Sequence, residues 1–192
     1  MKTAFVIFDG MTAMDFIGIY DPLTRLKTMN IVPDFQWKVC ARSEQVADDK
    51  GLRVHADSFG ESLTGYDLLV VPGGMGTRKL QHDGAFIGWL KSAEAAPVKA
   101  SVCTGALLLG AAGYLRGKRA TTHPNALEDL KPYCASVVTD RVVDEGNILT
   151  AGGVTSGIDL GLHLVERFAG ADARVRVARQ MDYPYQPSPS PK

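Results

Sequence analysis

At 192 residues, 45% hydrophobic and 22% charged, the chain suits one ordinary globular domain with a substantial core. Lysine plus arginine and aspartate plus glutamate number 21 each, so no basic excess neutralises phosphates, which argues against a nucleic-acid partner. The apolar start is too short and too soon broken by Asp9 for a signal peptide, no stretch can span a bilayer, and three cysteines give no disulfide framework; a cytoplasmic protein with reduced thiols is expected.

Taken in order, Thr3–Phe8 is a continuous apolar run, as a strand buried on both faces should be. Asp9-Gly10 turns, and Thr12 opens a predicted helix to about Lys27, with Asp15 in the position of the acidic partner of a capping box. Phe35–Cys40 alternates and reads as a strand. The polar stretch Ser43–Phe59, with short β patches, suggests a hairpin excursion. Asp67–Val71 is a further buried strand and ends in Pro72-Gly73-Gly74-Met75-Gly76, a loop whose backbone must approach something closely. A helix is predicted over Phe86–Ala95, stopped by Pro97.

The strand Ala100–Val102 runs into Cys103, Thr104 and Gly105, then into an Ala/Leu run with helical character. Strand, tight turn and helix, with a reactive side chain at the turn, is the layout of a nucleophile elbow. Beyond it, Ala120–Thr122, Val137–Thr139, Arg141–Val143 and Ile148–Thr150 read as short strands, and Pro124 opens a helix over Asn125–Lys131. Helices follow over about Ser156–Phe168 and Ala171–Met181. Residues 1–183 read as a single domain and 184–192 as a proline-rich tail. Strands alternating with helices imply an α/β fold, a mostly parallel sheet covered on both faces. Asp9-Gly10, the 72–76 loop, Cys103 and Gly152-Gly153 then all fall at carboxyl ends of strands, where such folds place their sites.

Two readings of Cys103 stand at this point. A helix N-terminus favours a thiolate and predicts a pKa below that of a free cysteine, roughly 8.5. The other reading is a small cysteine buried between a core strand and a core helix. Asp15 is either the acid/base partner of that cysteine or a helix cap, and His123 is either a base or the cap of the helix that Pro124 begins. No Cys, His, Asp or Glu spacing matches a metal site, and the glycines of the 72–76 loop lack the dinucleotide layout, so neither metal nor nucleotide cofactor is expected.

SVCTGALLLGAAGYLRGKRATTH, with VVPGGMG upstream and LTAGGVTSGID downstream, resembles the ThiJ/PfpI superfamily of glutamine-amidotransferase-like domains, over about Thr3–Tyr183 and nearest its isonitrile hydratase branch. The resemblance implies a flavodoxin-like or Rossmann-like sandwich with a nucleophile elbow, and a homodimer. It implies Cys103 as nucleophile, Asp15 as its acid/base partner and Thr104 as assistant. Gly73, Gly74, Gly152, Gly153 and His123 are expected at the substrate, a small electrophile, with no cofactor. Pro124 stands where this branch carries a tryptophan. The implied reaction is hydration of an isocyanide to a formamide; a glyoxalase-like lyase and a cysteine-based sensor are the alternatives.

Overall fold

The structure, a computed structural model, describes residues 1–184; the expected proline-rich tail lies, from residue 185 on, outside them. The chain runs β1 (Lys2–Val6), α1 (Ala13–Thr28), β2 (Gln36–Ala41), β3 (Gln45–Ala47), β4 (Arg53–His55), β5 (Ser58–Phe59), β6 (Leu68–Val71), α2 (Thr77–Leu80), α3 (Gly84–Lys91), β7 (Val98–Val102) and α4 (Gly105–Ala111). It continues with β8 (Arg119–Ala120), α5 (Leu127–Leu130), β9 (Ser136–Val137), β10 (Val142–Asp144), β11 (Ile148–Ala151), α6 (Ser156–Ala169) and α7 (Ala171–Gln180).

Seven strands form the main sheet in the order β10-β11-β7-β6-β1-β2-β5, and every neighbour pair is parallel except β10 with β11. The central strands are buried along nearly their whole length, because helices cover them on both sides. Chain direction decides the layers. From β1 the chain crosses through α1 to β2, one way along the sheet; from β6 it crosses through α2 and α3 to β7, the other way. Right-handed crossovers in opposite directions put their helices on opposite faces. Accordingly α1 packs with α6 and α7, while α4 packs with α2, α3 and α5. The direction reverses between the adjacent strands β1 and β6, and the crevice at their carboxyl ends is where this fold class holds its ligands.

The hairpin excursion is β3 paired antiparallel with β4. Several local expectations shift. The α3 helix starts two residues before Phe86, because the Asp83 side chain accepts hydrogen bonds from the N–H groups of Ala85 and Phe86. The helix expected over Asn125–Lys131 is instead a 3-10 turn at Pro124–Ala126, the single turn α5, and a second 3-10 turn at Lys131–Tyr133; Pro132, without an N–H, stops α5 from continuing. The strand expected at Arg141–Val143 is β10, moved by one residue, and Val137–Thr139 contributes only β9, paired parallel with β8. Among the described residues no helix is long and apolar enough to cross a membrane.

Candidate active site

Cys103 follows β7 with φ of 56°, in the left-handed region that side-chain-bearing residues seldom occupy. Such a conformation persists only where the surroundings impose it. Here its N–H donates to the carbonyls of Ala151 and Gly152, both at 2.9 Å, and its carbonyl accepts from the Thr122 hydroxyl at 2.9 Å. Gly105, the next turn of the elbow, lies so close to the Val71 and Pro72 carbonyls that no Cβ fits. The elbow is real, and its cysteine is only 5% exposed.

Asp15 reaches the elbow from α1. It is fully buried, and its Oδ2 accepts from the Gly73 N–H at 3.1 Å. The carboxyl lies beside the Cys103 thiol, which is the largest influence opposing burial on it. Its Oδ1 is buried with no well-aligned partner. The capping-box expectation is therefore corrected. Thr12 makes no side-chain cap bond and instead donates to Asp49 Oδ2 at 2.9 Å, while Asp15 points inward to the 72–76 loop.

Burial pushes the Asp15 carboxyl up to about 6, so at neutral pH it is ionised. The expectation of a low thiol pKa at Cys103 is also corrected: desolvation first, and the Asp15 charge second, push it up to about 12. The N–H and hydroxyl of Thr104 pull it down but do not offset this. The resting pair is thus a thiol facing a carboxylate. We expect alkylation of Cys103 by iodoacetamide to climb steadily over about pH 7–10; a plateau at or below the free-cysteine value of roughly 8.5 would restore the preformed thiolate. Peptide mass spectrometry distinguishes Cys103 from the other free thiols, Cys40 and Cys134.

The loop glycines build this pair more than they face a ligand. Gly73 N–H is engaged by Asp15 and Gly74 N–H by Thr104 Oγ1 at 2.9 Å. A Cβ on Gly73 would lie 2.5 Å from Thr104 N and 2.7 Å from Asp15 Oδ2. Gly152 N–H donates to the Arg141 carbonyl at 3.1 Å. Gly152 and Gly153, with Thr121, Thr122 and Pro124, line an open cleft beside the elbow. His123 is half-buried with its ring against Gly153, and its Nδ1 accepts from Asn125 N–H at 3.2 Å, which is the capping role. Among the described residues no hydrogen bond joins it to Cys103 or Asp15. Two residues were not singled out from the sequence: Thr122, which holds the elbow carbonyl, and Thr77, which bonds the Gly74 carbonyl. Hydroxyls of buried threonines at strand and helix ends were the available signal.

The family model of DJ-1/PfpI matches residues 1–167, the span holding all of these groups. The chain belongs to the DJ-1/PfpI family. It is 37% identical over 185 residues to isonitrile hydratase of Pseudomonas putida, covering 95% of this chain and 78% of that one. It is 30% identical over 192 residues to protein DJ-1alpha of Drosophila melanogaster, covering 97% of this chain and 86% of that one. A solved ThiJ/PfpI family protein from Pseudomonas syringae superposes with a TM-score of 0.87 at 28% identity, over 98% of this chain and 77% of its own. The flavodoxin-like sandwich expected of the DJ-1/PfpI family is the fold observed.

Proposed function

We propose that this DJ-1/PfpI protein hydrates isocyanides to N-substituted formamides through Cys103 and Asp15. The observation that carries the reading is the fully buried Asp15 carboxylate against the Cys103 thiol, with one carboxyl oxygen unpartnered. A thiol and a carboxylate are sufficient for this reaction. As sulfur bonds to the terminal carbon of R–NC, Asp15 takes the thiol proton and delivers it to that same carbon, giving R–N=CH–S–Cys103. Asp15, again ionised, then removes a proton from water as its oxygen adds to the same carbon, and hands that proton to the substrate nitrogen. Collapse of the tetrahedral adduct expels the sulfur, the hydroxyl proton passes through Asp15 to that sulfur, and R–NH–CHO is released. Water is the only species consumed. The relative at 37% identity carries the name of this activity, which supports the same reading.

No step needs a histidine base, which agrees with the capping role of His123 and with proline at 124. The test is conversion of an aryl or alkyl isocyanide over many turnovers, with the formamide identified by mass spectrometry and Cys103→Ala as the blank. His123→Ala is expected to keep a sizeable share of the rate. Absence of formamide, together with turnover of methylglyoxal to lactate that His123→Ala abolishes, would establish the glyoxalase-like reaction instead.

The same proposal includes a cytoplasmic homodimer. Met14 and Ile17 are 42% and 45% exposed on one face of α1. Leu52 and Met75 are more exposed still, and their loops hydrogen-bond to the segment entering α1, through Asp49 N–H to the Met11 carbonyl and Gly76 N–H to the Gly10 carbonyl. An apolar group of this kind suits a second copy of the chain. Light scattering is expected to give the mass of two chains, and Ile17→Asp the mass of one; a wild-type monomer would refute it.

A further inference from the structure

The buried hydroxyls of Thr77 and Thr104 form one network with the Gly74 peptide. Thr77 Oγ1 lies 2.7 Å from the Gly74 carbonyl oxygen and 3.0 Å from Thr104 Oγ1. Thr104 Oγ1 accepts from Gly74 N–H at 2.9 Å and lies 3.2 Å from the Gly74 carbonyl oxygen. Each hydroxyl has a single proton, so the Gly74 carbonyl takes a hydroxyl donor in one of two arrangements. In one, Thr77 donates to Thr104 Oγ1 and Thr104 donates to the Gly74 carbonyl. In the other, Thr77 donates to the Gly74 carbonyl over the shorter distance, and the proton of Thr104 is left for a different acceptor.

That acceptor is next door, since Thr104 follows Cys103 in the elbow. We propose that Thr77 is a positioning residue, whose hydroxyl occupies the Gly74 carbonyl and so releases the Thr104 proton to point at the Cys103 sulfur. The Thr104 hydroxyl counts among the groups that favour a thiolate there. Its proton matters when sulfur carries negative charge, because a donor to an anion is roughly twice as strong as one between neutral groups. The Gly74 carbonyl also accepts from Thr77 N–H at 3.2 Å, which leaves one lone pair for a hydroxyl. Without the Thr77 hydroxyl, Thr104 is drawn to that lone pair and away from the sulfur. This deepens the cysteine chemistry proposed above and rests on Cys103 being the reacting group.

The test labels Cys103 with iodoacetamide at pH 8.5 and follows the rate by peptide mass spectrometry, with Cys134 as internal reference. It needs no isocyanide, so its failure and the failure of the hydratase reading are separable. Thr77→Val is expected to slow labelling at Cys103 about tenfold, the equivalent of about one pKa unit, and to leave Cys134 unchanged. Thr77→Ser, which restores the hydroxyl, is expected within about twofold of the wild type. A purely structural role predicts the opposite sign, because a loosened site exposes a buried thiol and labels it faster. Thr77→Ala removes the same donor and serves if the valine variant does not fold. Unchanged or faster labelling in the variants lacking the hydroxyl, or an equal loss in Thr77→Ser, would overturn the proposal.

Discussion

Asp15→Asn is expected to lower isocyanide turnover at least about 100-fold while the protein melts no lower than the wild type at neutral pH. An ordinary helix cap would behave the other way, costing about 1 kcal/mol and leaving the rate intact. The sign follows from linkage. The folded carboxyl titrates at about 6 against 3.8 in the unfolded chain, so the folded state binds the extra proton between those values. Stability is therefore greatest below the unfolded pKa, is lost as pH rises through about 6, and is lowest above it, by at most about 3 kcal/mol. Removing the buried charge relieves that penalty at pH 7. Turnover has the reverse dependence and falls as pH drops through about 6, because only the ionised carboxyl takes the thiol proton. Alkylation of Cys103 separates the two effects again. Loss of the neighbouring negative charge is expected to speed it, since iodoacetamide needs a thiolate and no proton delivery. An asparagine variant that turns over normally would end the mechanism proposed here.

Gly73→Ala is expected to be nearly as damaging, by a different route. The new methyl would meet Thr104 N, Asp15 Oδ2 and Thr104 Oγ1 at 2.5, 2.7 and 2.8 Å, all closer than real Cβ contacts. One of these atoms is backbone, and the two side-chain oxygens are buried and held by the loop, Asp15 Oδ2 by Gly73 N–H and Thr104 Oγ1 by Gly74 N–H. Overpacking of this kind costs about 1–3 kcal/mol. A displacement of about 1 Å at reacting groups costs on the order of 100-fold in rate. Thermal melting and turnover on one sample check both, and a fully active Gly73→Ala variant would show that Asp15 and Thr104 need not sit where they do.

The elbow was legible because its pattern is local: a small-residue strand, cysteine, glycine and an Ala/Leu run within a dozen positions. The doubly covered sheet was legible for the same reason, from apolar runs alternating with amphipathic ones. Asp15 was harder. An acidic residue three positions after a threonine at a helix start satisfies a local rule, and only the bond to Gly73, 58 residues away, shows that the tertiary contact wins. The thiol was misjudged because the helix N-terminus is visible in sequence while desolvation is not. Burial leaves Cys103 5% exposed with Asp15 and Thr104 acting on its thiol, and Asp15 comes from a helix far away in the sequence. The helix expected over Asn125–Lys131 shrinks to the single turn α5 because a 3-10 turn capped by His123 takes its first residues, which a proline at the first position of a helix does not distinguish from an α-helical start.

The order of strands in the sheet has a kinetic consequence. The reactive pair is assembled from segments that follow β1, β6 and β7, and its ties span 58 residues for Asp15 with Gly73 and 30 for Gly74 with Thr104. Parallel pairing of that separation requires long loops to close before any contact rewards them, which makes such sheets slow to form. Hairpin β3–β4, by contrast, closes locally. During refolding, then, Cys103 passes from an accessible thiol to a shielded one only when the middle of the sheet has zipped, so its loss of labelling is a clock for the last long-range step rather than for collapse.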